Sequence, residues 1–244
     1  MLRHSFFQIL VFFLSLQVYV VQAQPGKERL RKADSLYQKQ LFVESFDIYQ
    51  ELLQQEEVYS PAMLLKMAFI KESLDDYTGA LYYLSLYYGK HPNRSTLKKM
   101  EALAQQHNLK GFEYSDYDFF ATQARKYYMR ILELLMMTAV VIVTIALVSR
   151  LRGKKLKPHS FGLYLAFIAV LSYYLNFLSF GRYGIVNEEK LAMMSGPSAG
   201  SALLRSLPKG NRLQLLGQED VWYKVKLDDT VAYVLRDHIL VATN

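Results

Sequence analysis

Two apolar runs near the middle of the chain constrain its fold more than any other feature. They are Ile131–Ser149 and Phe161–Phe180, separated by a short loop carrying Arg150, Arg152, Lys154, Lys155 and Lys157 and no acid. Each run is about 20 residues, enough at ~1.5 Å per residue to cross a ~30 Å hydrocarbon layer. The first holds one charge, Glu133, close to its start and beside Arg130; the second holds none. Glu133 reads as an interfacial residue whose carboxylate reaches back to water. A basic loop between two spans belongs on the cytoplasmic side. The segments before and after the hairpin are therefore expected on the opposite side. Tyr127, Tyr128 and Tyr183 flank the runs as interfacial aromatics. A buried helix pair in a soluble core would not need five cations between its members.

The basic loop also accounts for most of the formal charge of +7. On either side of the hairpin, acids and bases nearly balance, so the excess does not point to nucleic acid. The chain has no cysteine. Disulfides, thiolate metal sites, thioether-linked haem and a cysteine nucleophile are thereby excluded. Met1-Leu2-Arg3-His4, the apolar stretch Phe6–Val21 and Val21-Gln22-Ala23 have the layout of a signal peptide cleaved after Ala23, with an uncleaved anchor as the alternative; either places residue 24 onward outside the cytoplasm.

Residues 24–110 show helical periodicity and an internal repeat. Ala33, Phe42, Ser45 and Tyr49 recur 35 positions later as Ala68, Tyr77, Ala80 and Leu84. Small residues are needed where paired helices approach closely, and larger ones fill the groove between them. Helices are expected near Lys27–Gln40, Val43–Glu56, Pro61–Ser73, Tyr77–Tyr88 and Ser95–Gln106. Pro61 and Pro92 mark the starts of successive units. This pattern resembles the tetratricopeptide repeat, with the family's glycine after the first helix replaced by Leu41 or Asp75. The resemblance implies a concave partner-binding surface, with Asp34, Tyr37, Gln38, Phe69 and Glu72 as candidate contacts. Residues 111–130 are aromatic and mixed in charge, fitting a juxtamembrane linker or a helix lying on the membrane.

After Gly181 the pattern changes to short alternating runs. Arg212–Leu216, Val221–Leu227 and Thr230–Leu235 read as strands, punctuated by Gly196-Pro197, Pro208-Lys209-Gly210 and Asp228-Asp229. Ser195-Gly196-Pro197-Ser198, Lys209-Gly210, Trp222-Tyr223-Lys224-Val225 and Ala232-Tyr233-Val234 follow in the order found in bacterial SH3-like barrels. Met194 and Ala232 stand where that family usually has arginine and glycine. The resemblance implies a small all-β barrel over 182–244 that binds cell-wall peptides or protein partners. Trp222, Tyr223 and Tyr233 are its candidate contact residues, with core packing as the other reading for each.

No constellation carries chemistry. His4, His91, His107, His159 and His238 form no spaced metal pair, and there is no phosphate-binding glycine loop or nucleophile elbow. Glu56-Glu57, Asp75-Asp76 and Asp228-Asp229 sit at helix ends or turns. The expected molecule is a non-enzymatic multidomain membrane protein without cofactors. It consists of a signal peptide (1–23), a helical tetratricopeptide-like solenoid (24–110), a linker or helix (111–130) and a first span (131–149). A cytoplasmic loop (150–160), a second span (161–180) and an SH3-like barrel (182–244) complete it. That order resembles the BatE-type proteins of aerotolerance operons. The resemblance implies a scaffold in the bacterial inner membrane with both soluble modules periplasmic. It also implies von Willebrand A-domain proteins and a MoxR-type ATPase system as partners, with peptidoglycan as the alternative ligand.

Overall fold

In the computed structural model, residues 25–55, 58–152, 158–177 and 181–242 are described. The expected signal peptide and positions 153–157 of the basic loop lie outside them. The chain divides into two compact units, Met1–Tyr59 and Ser60–Asn244.

The first unit is a helical hairpin, α1 (Pro25–Gln38) and α2 (Phe42–Gln55). Ser45, Tyr49 and Leu52 fall at helical spacing on one buried stripe of α2. Ser45 Oγ donates to the Ala33 carbonyl at 2.9 Å, a contact that only small side chains permit. The Tyr49 hydroxyl donates to the Asp34 carboxylate. Arg29 pairs with Glu51 on the exposed side, where an ion pair contributes little.

The second unit opens with α3 (Pro61–Ser73), α4 (Tyr77–Lys90) and α5 (Arg94–Gln106). Each begins on a side-chain cap. Ser60 accepts from the Met63 amide, Asp76 from Gly79, and Asn93 from Thr96. Ala68 and Ala80 are buried, with Met63, Leu64, Met67, Ile70 and Leu81 filling the space around them. The reversals after α1 and α3 run through Gln40 (φ 62°) and Asp75 (φ 59°). These two left-handed residues are 35 positions apart, matching the repeat seen in the sequence. Gln40, rather than Leu41, thus holds the conformation that glycine usually supplies.

Ser115 and Asp118 cap the next helix reciprocally: the Ser115 amide and hydroxyl donate to the Asp118 carboxylate, and the Asp118 amide donates to Ser115 Oγ. That helix, α6, runs from Asp116 to Leu151 as 36 residues. Residues 116–130 are therefore not a separate element; with no proline or glycine to stop it, the helix continues into the apolar run. Thr138 and Thr144 return their hydroxyls to the carbonyls four residues back, which satisfies them without water. Among the described residues, α6 is the one helix long and apolar enough to cross a membrane. The second expected span is also helical, α7 (Pro158–Phe177); among its described residues the apolar stretch is Tyr164–Leu175. Tyr128 of α6 stacks on Tyr174 of α7 with ring centroids 4.8 Å apart, and Tyr174 Oη donates to the Tyr128 carbonyl.

Seven antiparallel strands follow: β1 (Arg182–Val186), β2 (Lys190–Met194), β3 (Leu203–Pro208), β4 (Arg212–Glu219), β5 (Trp222–Leu227), β6 (Thr230–Leu235) and β7 (Ile239–Val241). Their order in the sheet is β3-β2-β6-β5-β4-β1-β7. One apolar cluster draws on all of them, including Leu207 of the first strand in that order and Ile239 of the last. The sheet must bend round this core for its two ends to share it. The bend is helped by irregularities in β2 and β4; at the latter, Leu216 is turned outward.

Candidate functional site

On β5 the residues alternate strictly. Tyr223, Val225 and Leu227 are buried; Trp222, Lys224 and Lys226 lie on the other face. Trp222 sits opposite Glu219 on one side and Leu235 on the other, while Lys224 sits opposite Gly217 and Tyr233. The Tyr233 hydroxyl donates to Glu219 Oε1 at 3.2 Å, and Lys224 Nζ lies 5.9 Å from the Tyr233 ring centroid. The outer face of β4–β5–β6 thus carries two aromatic rings, a cation and a carboxylate in one patch. Such a patch can stack on a flat group and hydrogen-bond an amide; it holds no paired nucleophile and base. Tyr223, expected among the contact residues, belongs to the core at 7% exposure. The alternation that turns Trp222 outward places Tyr223 inside.

The helical candidates are placed differently. Asp34 accepts from Tyr49, and Tyr37 packs its ring against Phe42. Burial, reinforced by the Asp34 carboxylate, pushes the Tyr49 hydroxyl far above its usual range. Gln38 is exposed, as is Phe69 at 48%, and Glu72 pairs with Lys99. The first three lie in one unit and the last two in the other.

A second site went unmarked in the sequence. It joins the segment after α5 to the start of β4. The side chain of Asn211, 2% exposed, accepts from the Lys110 amide at 2.8 Å and donates to the Pro208 carbonyl at 2.7 Å. The Arg212 amide donates to the Lys110 carbonyl at 3.0 Å, and Arg212 Nη1 donates to the Gly111 carbonyl at 3.0 Å. Gly111 has φ 86°, and a Cβ there would fall 2.1 Å from the Arg212 carbonyl oxygen. The chain comes this close only because position 111 lacks a side chain. The Arg212 guanidinium lies 3.6 Å from the Tyr183 ring centroid and 4.7 Å from that of Tyr114. Burial pushes the Tyr114 hydroxyl up to about 12, against the opposing effect of the Arg212 charge. Arg125 of α6 reaches the start of the sheet, donating to the Gly181 carbonyl at 2.7 Å.

In the sequence, Pro208-Lys209-Gly210 reads as a turn and Lys209-Gly210 as one of the SH3-like matches, and Asn211 follows unmarked. Nothing in it distinguishes an asparagine buried at a junction from one facing water. Among the described residues, no group of three histidine, cysteine or carboxylate side chains is placed to hold a metal ion. No curated protein sequence matches the chain. Residues 191–239 match the family of the bacterial SH3 domain, which the chain therefore contains over β2 to the start of β7.

Proposed function

We propose that the protein is a non-catalytic membrane-anchored adaptor holding a helical module and an SH3 domain on the same side of a bilayer. The observation that carries this reading is the junction between Lys110-Gly111 and Asn211-Arg212. One partner precedes α6 and the other follows α7. The chain therefore leaves through α6 and comes back through α7, as a membrane hairpin requires. The stacked Tyr128 and Tyr174 supply an interfacial aromatic pair just before the apolar run of α6 and near the end of α7. Under this reading α7 is the second span, and the basic loop faces the cytoplasm.

The repeat interpretation of α1–α5 draws support from the left-handed residues Gln40 and Asp75 and from the buried small residues Ala33, Ser45, Ala68 and Ala80. The resemblance to BatE-type proteins suggests von Willebrand A-domain proteins and a MoxR-type ATPase system as partners, in aerotolerance or envelope stress. A second reading, a peptidoglycan-binding anchor, is favoured by the outward Trp222 and Tyr233 beside Lys224 and Glu219. Bacterial SH3 domains serve in both roles, and the fold does not choose between them. Pull-down of the full chain from solubilised membranes separates the two. Stoichiometric protein partners and no retention on purified peptidoglycan support the adaptor. Retention on peptidoglycan that is lost in Trp222→Ala supports the anchor.

A further inference from the structure

A cleft of about 440 Å³ opens at the junction between the segment after α5 and the sheet. The charged residues in its wall are Lys110, Arg212, Lys226, Glu113 and Asp228, so cations outnumber acids. Asp228 lies 3.8 Å from both Lys110 Nζ and Arg205 Nη2, and its charge is shared between those two partners. Among the described residues, no carboxylate lies within 4.0 Å of the side-chain nitrogens of Arg212 or Lys226. Arg212 is fixed in place before any ligand arrives. Its Nη1 donates to the Gly111 carbonyl at 3.0 Å, and its central carbon lies over the Tyr183 and Tyr114 rings. The Nε–Nη2 edge makes no hydrogen bond among the described residues. That edge carries the two parallel donors that meet a carboxylate side-on.

The sheet shows what could lead into the cleft. Tyr183, Gln214 and Lys226 are cross-strand neighbours in one row at its mouth. Lys226, Lys224 and Trp222 alternate with the core residues of β5 and share its outer face. At ~3.3 Å per residue, Trp222 lies ~13 Å from Lys226, the span of about four extended residues. We propose that the cleft holds the C-terminal carboxylate of a partner protein's tail, whose preceding residues run extended along β5 to the Trp222–Tyr233 patch. This rests on the adaptor reading above. One surplus cation in the wall suits a lone carboxylate better than a phosphate group of charge near −2. A glycan strand presents flat neutral faces that need free rings, and the ring in the cleft wall, Tyr183, is already covered by Arg212.

The test uses the full-length chain, purified in detergent and immobilised. Two pools of random hexapeptides with an N-terminal fluorophore are offered at equal concentration, one as free acids and one as C-terminal amides. The acids should be retained about tenfold over the amides, the effect of one charge-assisted hydrogen-bonded contact. Lys226→Gln should cut this preference to below about threefold, whereas Lys190→Gln, the same change of charge on β2 outside the cleft, should leave it unchanged. Glu113→Gln should raise it about twofold by removing a like charge from the wall. Trp222→Ala should weaken both pools alike, because it touches the far end of the peptide. An unchanged thermal midpoint and Trp222 emission show that Lys226→Gln is folded; if it is not, Gln214→Glu, which sets a like charge against the carboxylate, should lower the preference instead. No preference in the wild type, the same preference in a folded Lys226→Gln, or an equal loss in Lys190→Gln would overturn the proposal. So would displacement of the acids by soluble peptidoglycan fragments at about a tenth of their concentration. The pull-down described above is run alongside. A pool preference without any captured partner fails the adaptor reading and still supports the site, whereas captured partners without a pool preference overturn the site alone.

Discussion

Neighbouring residues on β5 have opposite tasks, and substitution should separate them. Tyr223 is sealed in the core of the sheet, whereas Trp222 is half-buried on the outer face between Glu219 and Leu235. Tyr223→Ala should cost ~3–5 kcal/mol, the range for emptying a large aromatic site. A domain this small would lose most of its stability. Trp222→Ala should remove only cross-strand contacts, ~0.2–1 kcal/mol each, and leave the fold intact while partner or peptidoglycan binding falls. Denaturant melts of the two variants provide the comparison, and equal destabilisation would mean that Trp222 is a core residue. At the junction, Asn211 satisfies a donor and an acceptor at once. Asn211→Leu would strand the Lys110 amide and the Pro208 carbonyl, at a cost of ~1–3 kcal/mol for each group left unpaired. Asn211→Asp keeps the acceptor for Lys110 but buries a charge and turns an oxygen toward the Pro208 carbonyl, so it too should melt below the wild type. A Leu variant as stable as the wild type would mean that the junction contributes nothing.

The helices depend on their caps more than on their interiors. Asp76 starts α4 by accepting from Gly79 at 2.9 Å, and its other oxygen lies 3.0 Å from Lys71 Nζ. Burial alone would raise its pKa, but the Gly79 N–H and the Lys71 ammonium prevail and hold it below the ordinary carboxylate value. A carboxyl with a depressed folded-state pKa adds stability above its unfolded value of ~3.9, and that stability is lost as pH falls through the folded value. Wild type should therefore lose stability in acid more steeply than Asp76→Asn, which keeps the cap but not the charge. Asp76→Ala should cost ~0.5–2 kcal/mol at neutral pH. Parallel pH profiles for wild type and Asp76→Asn would exclude the ion pair as a contributor. Such caps also explain which elements were legible in the sequence. Ser60-Pro61, Asp76 and Asn93 announce α3, α4 and α5, and the helix ends fall within two residues of those expected for them. The strands were harder. β4, β5 and β6 alternate clearly, but β1 contains Gly184, β3 ends on Pro208, and β7 has three residues. None of these offers enough period-two pattern to stand out. Gly184 is required by packing that no local signal reveals: a Cβ there would fall 2.3 Å from Ile239 Cγ2 of β7. The outer-face site was partly legible because Trp222 and Tyr223 flag a strand, although alternation alone could not tell which of them faces inward. The cleft was not legible, since Lys110 and Lys226 are far apart in sequence and meet only through the fold.

At the scale of the whole molecule, the junction turns a question of membrane topology into one of local chemistry. Lys110 and Asn211 are hydrogen-bonded, yet both apolar runs lie between them in the chain. If both runs cross the bilayer, the two residues emerge on one side and the junction forms. If only α6 crosses, the SH3 domain is left on the side opposite α5, and the Lys110–Asn211 and Arg125–Gly181 contacts are impossible. The protein has no cysteine, so single introduced thiols can report their compartment without background. Lys98 on α5 and Asp229 in the turn between β5 and β6 are both exposed, and replacing either removes no core contact. In intact spheroplasts, Lys98→Cys and Asp229→Cys should both react with a membrane-impermeant maleimide. Lys155→Cys, in the basic loop, should react only after the membrane is opened. Labelling of Lys98→Cys without Asp229→Cys would leave α6 as the single span and dissolve the junction in the membrane-bound protein. Labelling of all three before permeabilisation would mean that neither run crosses. The expected pattern, two thiols outside and one inside, is the one under which the helical module, the SH3 domain and the cleft between them share one face of the membrane.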